Sequence, residues 1–136
     1  MGCAAVIILD THIWLRWIIQ GEKGIPAKAA RAIRSADKAA VSAISCWEVE
    51  MLNRRQRIEL PLAAKEWLEK ALEPAGILCL PVTCEIGVLA AALPDHHRDP
   101  ADRIIIATTL AHDAKLLSLD SAFPLYAQLN DRLIRE

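Results

Sequence analysis

Four short apolar runs, each separated from the next by helical sequence, constrain this chain more than any other feature. They lie at residues 4–9, 39–42, 77–80 and 115–119. The first is continuous rather than alternating, as a strand covered on both faces reads. Strands separated by helices pair in parallel through right-handed crossovers. The expected fold is therefore α/β, a three-layer α/β/α sandwich around a central parallel sheet of four to five strands. In open sheets of this kind, sites lie beyond the carboxyl ends of the strands.

The intervening segments fit that frame. Helices are expected over 11–19, from Pro26 to about 35, over 45–55, over 61–72, from a Thr83 cap to 92, and over 100–112. A glycine turn at 21–24, a Pro-Ala-Gly break at 74–76 and a polar loop at 94–99 separate them. After residue 122 the chain reads as short turns with a helix near 127–134. No repeat, linker or low-complexity tract divides the 136 residues, so residues 1–136 are expected to form a single domain.

Composition narrows the function. Sixteen basic against seventeen acidic residues give a net charge of -1, which excludes a highly basic nucleic-acid coat but leaves room for a local basic groove. Hydrophobic residues make up 54% of the chain, too many for disorder, and part of that excess is expected to cover an oligomer or partner interface. The longest apolar runs, 3–9 and 88–93, fall far short of the roughly 20 residues of a membrane span. No basic segment precedes the first run, so no signal peptide and a cytoplasmic location are expected. The cysteines at 3, 46, 79 and 84 form no CxxC pair and are expected to be reduced, buried thiols.

The acids sit where the fold puts chemistry. Asp10 directly follows the first strand and Asp120 the last. Glu48 falls in the first turn of the helix after the second strand, and Asp99 and Asp102 open the helix before the last. Each has a modest local reading. Asp10 and Asp99 suit N-caps, and Asp99 is followed by proline at the first helical position. Ser45 and Glu48 match a capping box. Asp102 would then suit the helix dipole, and Asp120 could close a turn. As a set they are harder to explain. Carboxylates brought together repel and desolvate one another, and a hard divalent cation relieves that. Mg²⁺ prefers one or two carboxylates, retains water and accepts a phosphate oxygen, which suggests metal-assisted phosphodiester cleavage.

These residues fall in four segments: ILDTHIW at 8–14, VSAISCWE at 41–48, LPDHHRDPADRIIIA at 93–107 and LLSLD at 116–120. In that order and over nearly the whole chain, they resemble the PIN-domain ribonucleases, specifically toxins of the VapC type from toxin–antitoxin pairs. The resemblance implies acidic metal-binding positions at Asp10, Glu48, Asp102 and Asp120, which are also the catalytic set. It implies supporting places for Thr11 and Ser118, with Asp99 an additional acid or only a helix cap. It further implies an Mg²⁺-dependent endoribonuclease (Mn²⁺ as substitute), an RNA substrate, a cognate antitoxin and a homodimer. Products would carry a 5′-phosphate and a 3′-hydroxyl. Ala101, Leu52 and Gln56 depart from the usual family residues, none at a ligand position.

Two rivals stand beside this reading. One is a related module that binds RNA or a partner without cutting. The other is a phospho-acceptor receiver domain, which would want a lysine after a late strand where this chain has Ser118-Leu-Asp-Ser121. Other residues have bland readings. His96 and His97 suit a polar loop, and His12 suits local packing. Arg54, Arg55 and Arg57 suit a helix C-terminus, and Arg16 with its neighbouring cations suits a solvated face. Arg103 is expected to pair with an acid near the site, and the tryptophans, Trp14 and Trp17 above all, to serve core or dimer packing.

Overall fold

The computed structural model describes residues 5–96 and 98–135. Its sheet is parallel throughout, in the order β3-β2-β1-β4-β5. The strands are β1 (Val6–Leu9), β2 (Lys38–Ser42), β3 (Ile77–Leu80), β4 (Lys115–Leu117) and β5 (Leu133–Ile134). The helices are α1 (Thr11–Gln20), α2 (Ala27–Ser35), α3 (Ala43–Arg54), α4 (Ala64–Ala71), α5 (Cys84–Ala92) and α6 (Pro100–Ala111). The expected α/β/α sandwich is what forms.

The pleat explains the layers. Along β1, Ile7 and Leu9 face one core while Ile8 faces the other, and in β4 Leu117 and Leu116 divide the same way. The first core is covered by α1 to α4, with Trp14, Ile33, Val49 and Trp67 buried in it. The second holds Ile105 and Ile106 of α6 with Phe123, Tyr126 and Leu129 of the C-terminal segment. Trp14 is the largest fully buried side chain. Its ring centroid lies 5.3 Å from that of Trp67 at 57°, and its Nε1–H donates to the Ala71 carbonyl at 3.0 Å. Trp17 packs on the same core, as expected, but Trp47 is 56% exposed and belongs to neither core.

Three local expectations are corrected. Residues 127–134 are not a helix: a 3₁₀ turn over Ala127–Leu129 leads into β5, which adds a fifth strand at the edge. Leu129 and Leu133 carry helical spacing, but Leu133 is used to extend the sheet beside Leu116. Ser45 is not the cap of α3. Ser42 is, accepting from Ile44 N–H at 3.2 Å, so Ser45 lies inside the helix. Nor are the thiols uniformly buried. Cys46 is half-buried, whereas Cys79 on the edge strand and Cys84 at the start of α5 are exposed. Cys3 lies outside the described residues.

Arg103 serves the fold. Its side chain is 12% exposed and its guanidinium donates to the carbonyls of Ala90, Ala91, Leu93 and Pro94, at 2.6 to 3.2 Å. These carbonyls include C-terminal acceptors of α5 that have no partner within that helix. Arg103 also contacts the exposed loop acid Asp95, at 3.5 Å, which is not one of the strand-end acids. Arg103→Met, which keeps the aliphatic stem, is expected to destabilise the fold by about 2–3 kcal/mol, the range for buried charge-assisted bonds. Equilibrium urea unfolding with an unchanged midpoint would contradict this.

Candidate metal centre

The sheet order reverses at β1, which sends one connection to β2 and receives β4 on its other side. A crevice forms at such a point beyond the carboxyl ends of the strands. Asp10 stands there. Its backbone N–H donates to Leu117 O at 2.9 Å, so it continues the β1–β4 pairing by one residue. Its Oδ1 accepts from Thr11 N–H at 2.8 Å, the expected cap, and its Oδ2 accepts from Ser118 Oγ at 2.7 Å. Asp10 is 7% exposed. Burial raises its pKa. The bonds from Ser118 and Thr11 and the nearby His12 oppose that rise, and Asp120 adds to it.

Ser118 ties two acids together. While donating to Asp10, its Oγ accepts from the Asp120 N–H at 3.1 Å. Asp120 closes a turn through Oδ1, which accepts from Ala122 N–H at 2.8 Å. Arg135 holds the same loop, donating to Asp120 O at 2.6 Å and Leu119 O at 3.2 Å. Arg135 was not legible as a site residue. It reaches back across 15 positions, and only the pairing of β4 with β5 brings it there.

Glu48 comes from α3. Thr11 Oγ1 lies 2.5 Å from Glu48 Oε1 and 2.7 Å from Ser45 Oγ. With one proton to give, Thr11 donates to the carboxylate and takes up the Ser45 hydroxyl as its other partner. Ser45 thus braces the site instead of capping the helix. Asp99 caps α6 by accepting from Ala101 N–H at 2.9 Å, with Pro100 at the first helical position. Asp102 then falls in the first turn of α6. Packing of α3 on α6 brings Glu48 toward Asp99 and Asp102. One carboxylate oxygen from each of these three lies within 4.8 Å of the others.

This proximity is unfavourable without a cation. Burial, and then Asp10, Asp99, Glu48 and Asp120, push Asp102 up to about 8. Burial raises Glu48 to about 7, with Asp10 and Asp99 adding and the Thr11 bond opposing. The donors are all oxygen, in a half-buried cleft. That set suits a hard divalent ion and does not resemble the sulfur and imidazole shell of structural zinc. The residues therefore fit a divalent metal, and all five expected acids gather at this end of the sheet. Asp99 joins the oxygen cluster more closely than its cap role required.

The other candidates lie elsewhere or do other work. His96 sits edge-on to Tyr126, ring centroids 4.8 Å apart, and His97 lies outside the described residues. His12 and Arg16, on α1, line a small cleft that adjoins Asp10 and Asp120.

The PIN domain family model matches residues 7–129. Ribonuclease VapC22 of Mycobacterium tuberculosis is 33% identical over 115 residues, which span 84% of this chain and 86% of that protein. Among solved structures, VapBC2 from Rickettsia felis bound to a promoter DNA fragment superposes with a TM-score of 0.67 at 15% identity. It covers 96% of this chain and 98% of the other. A toxin–antitoxin complex from Klebsiella pneumoniae gives 0.64 at 18% identity, over 94% and 95% of the two chains. At such identities the structures show a shared fold, whereas the matched model spans the strand-end acids themselves, from Asp10 to Asp120. The chain belongs to the PIN-domain family.

Proposed function

We propose that this chain is a divalent-metal-dependent endoribonuclease and the toxin of a toxin–antitoxin pair. The observation that carries the reading is the gathering of Glu48, Asp99 and Asp102 beside Asp10 and Asp120 at the carboxyl ends of β1 and β4. The ribonuclease named among its relatives supports it. Asp10, Glu48, Asp102 and Asp120 would hold Mg²⁺, or Mn²⁺ in its place, with Asp99 at the edge of the set. When bound, such an ion supplies an activated water and offsets charge on the phosphate under attack.

The chain's own groups do the positioning. Ser118 and the Thr11 amide fix both oxygens of Asp10. Thr11, braced by Ser45, fixes Glu48. The start of α6 carries Asp99 as its cap and Asp102 in its first turn, which fixes their approach to Glu48. Arg135 and Ser118 set the loop that presents Asp120. An antitoxin and a second copy of the chain are the proposed protein partners. Exposed Trp47, Leu78 and Val88, the last at 72%, are apolar surface for such contacts to cover. No described helix is long and apolar enough to cross a membrane, and the proposed place of action is the cytoplasm, where RNA is at hand. Induced expression in a bacterium is expected to arrest growth and create new RNA 5′ ends. Asp10→Asn is expected to create none. New ends appearing equally with both proteins would overturn the reading.

The raised acids also predict a pH dependence. Unfolded Glu and Asp titrate near 4, so between about pH 4 and 8 the folded, metal-free protein binds more protons than the unfolded chain. Its stability is therefore present at low pH within this window and is lost as pH rises toward 8. Metal competes with those protons, so Mg²⁺ is expected to stabilise more at pH 8 than at pH 6. Melting curves across this range, with chelator and with Mg²⁺, check both signs. A metal-free protein that becomes more stable from pH 6 to 8 would contradict the cluster.

A further inference from the structure

We propose that Arg16 anchors a backbone phosphate of the RNA strand, in the cleft beside Asp10 and Asp120, next to the phosphate presented to the acids. The inference rests on RNA being the substrate. The cleft has a volume of about 190 Å³ and is lined by Asp10, His12, Ile13, Arg16, Leu119 and Asp120. His12 and Arg16 are four residues apart on α1, so they share one face of the helix, and both are exposed there. The cleft thus carries carboxylates from β1 and the β4 loop together with a guanidinium and an imidazole from α1.

The charge pattern gives the cation a purpose. Five carboxylates repel a polyanion, and a chain of net charge -1 has no general basic field to draw one in. Beyond the one phosphate that a bound metal would take, attraction has to come from cations placed locally. Arg16 is such a cation, permanently charged. Among the described residues no ion pair or side-chain hydrogen bond occupies its guanidinium. The oxygens Asp10 and Asp120 offer nearby accept from Thr11, Ser118 and Ala122. An arginine serving only to neutralise those acids would pair with them. Its planar fork matches two phosphate oxygens, and Leu119, 37% exposed, offers an apolar wall for the adjoining sugar or base. The assignment revises the sequence-based reading of Arg16 as part of a solvated face.

The test is binding of a labelled single-stranded RNA of about 16 nucleotides, the upper end of a small-domain footprint. It is measured against salt in an Asp102→Asn background that stops cleavage. Arg16→Gln is expected to weaken binding about tenfold at 0.1 M salt and to reduce the salt slope by about 0.7, one single-strand phosphate. Arg16→Lys is expected to keep the slope, and Lys65→Gln, an exposed charge change on α4, to alter neither quantity. In the otherwise native protein, Arg16→Gln is expected to raise KM with kcat held within about twofold, as loss of uniform binding does. An unchanged slope and affinity in Arg16→Gln, or no RNA binding by the Asp102→Asn protein itself, overturns the subsite. Arg16-dependent binding by a protein whose native form cuts no RNA supports the subsite and removes the nuclease reading instead.

Discussion

Asp102→Asn is expected to reduce RNA cleavage by about a thousandfold or more, the several kcal/mol that metal assistance supplies. Asp102 feels every other acid of the site, and its carboxylate is one of the three whose oxygens converge. Removing its charge takes away one of the proposed metal ligands. It also relieves repulsion among Asp10, Glu48, Asp99 and Asp120. The same substitution is therefore expected to leave the metal-free protein at pH 8 as stable as the parent or more so. It should also abolish most of the thermal shift that Mg²⁺ produces. These two signs separate a lost metal site from a damaged fold. If Asp102→Asn cleaved RNA as fast as the parent, the assignment of Asp102 would be wrong. If it lost activity and melted well below the parent, the residue would be structural.

Trp14→Ala carries the largest expected cost to the fold, about 3–5 kcal/mol. The indole is completely buried between β1 and the helices of the first core, with its ring centroid 5.3 Å from that of Trp67. Its removal leaves a large void and strands the Ala71 carbonyl, which now accepts from Nε1. A single domain holds about 5–15 kcal/mol in total, so the variant is expected to melt some 10–20 °C lower or to accumulate unfolded. Trp14→Phe keeps most of the volume and loses the bond, so it is expected to fall between the two. A melting temperature within about 2 °C of the parent for Trp14→Ala would contradict the packing account.

The sheet was legible because its inner strands are buried on both faces. Runs such as VIIL in β1 have no polar partner position and read as strands without periodicity. β5 was not legible. It is two half-buried residues, and Leu129 with Leu133 mimics helical spacing. Asp10, Asp99 and Asp102 were legible because they directly follow a strand or open a helix, positions that local pattern fixes. Glu48, by contrast, falls in the second turn of α3 instead of its first, and Asp120 stands three residues past β4 instead of directly after it. The supports of these acids were only partly legible. Ser45 and Glu48 satisfy the spacing of a capping box, and only the packing of α1 against α3 shows Ser45 engaged with Thr11 instead. The Ser118 bridge joins residues 108 positions apart, and the Arg135 clamp depends on the sheet being assembled. Such contacts belong to tertiary structure, where sequence spacing carries no signal. Arg16 shows the same limit, because a cation four residues after His12 reads as a solvated face until the cleft beside it is seen.

The central claim is that the gathered carboxylates make a metal-dependent RNA-cutting site. It is tested most directly by incubating the purified protein with end-labelled total RNA, in Mg²⁺, in chelator and with chelator followed by Mn²⁺. Discrete internal fragments bearing 5′-phosphates, present with Mg²⁺, absent with chelator and restored by Mn²⁺, are the predicted result. Fragments that persist unchanged in chelator, or intact RNA in every lane from a folded protein free of antitoxin, would contradict it.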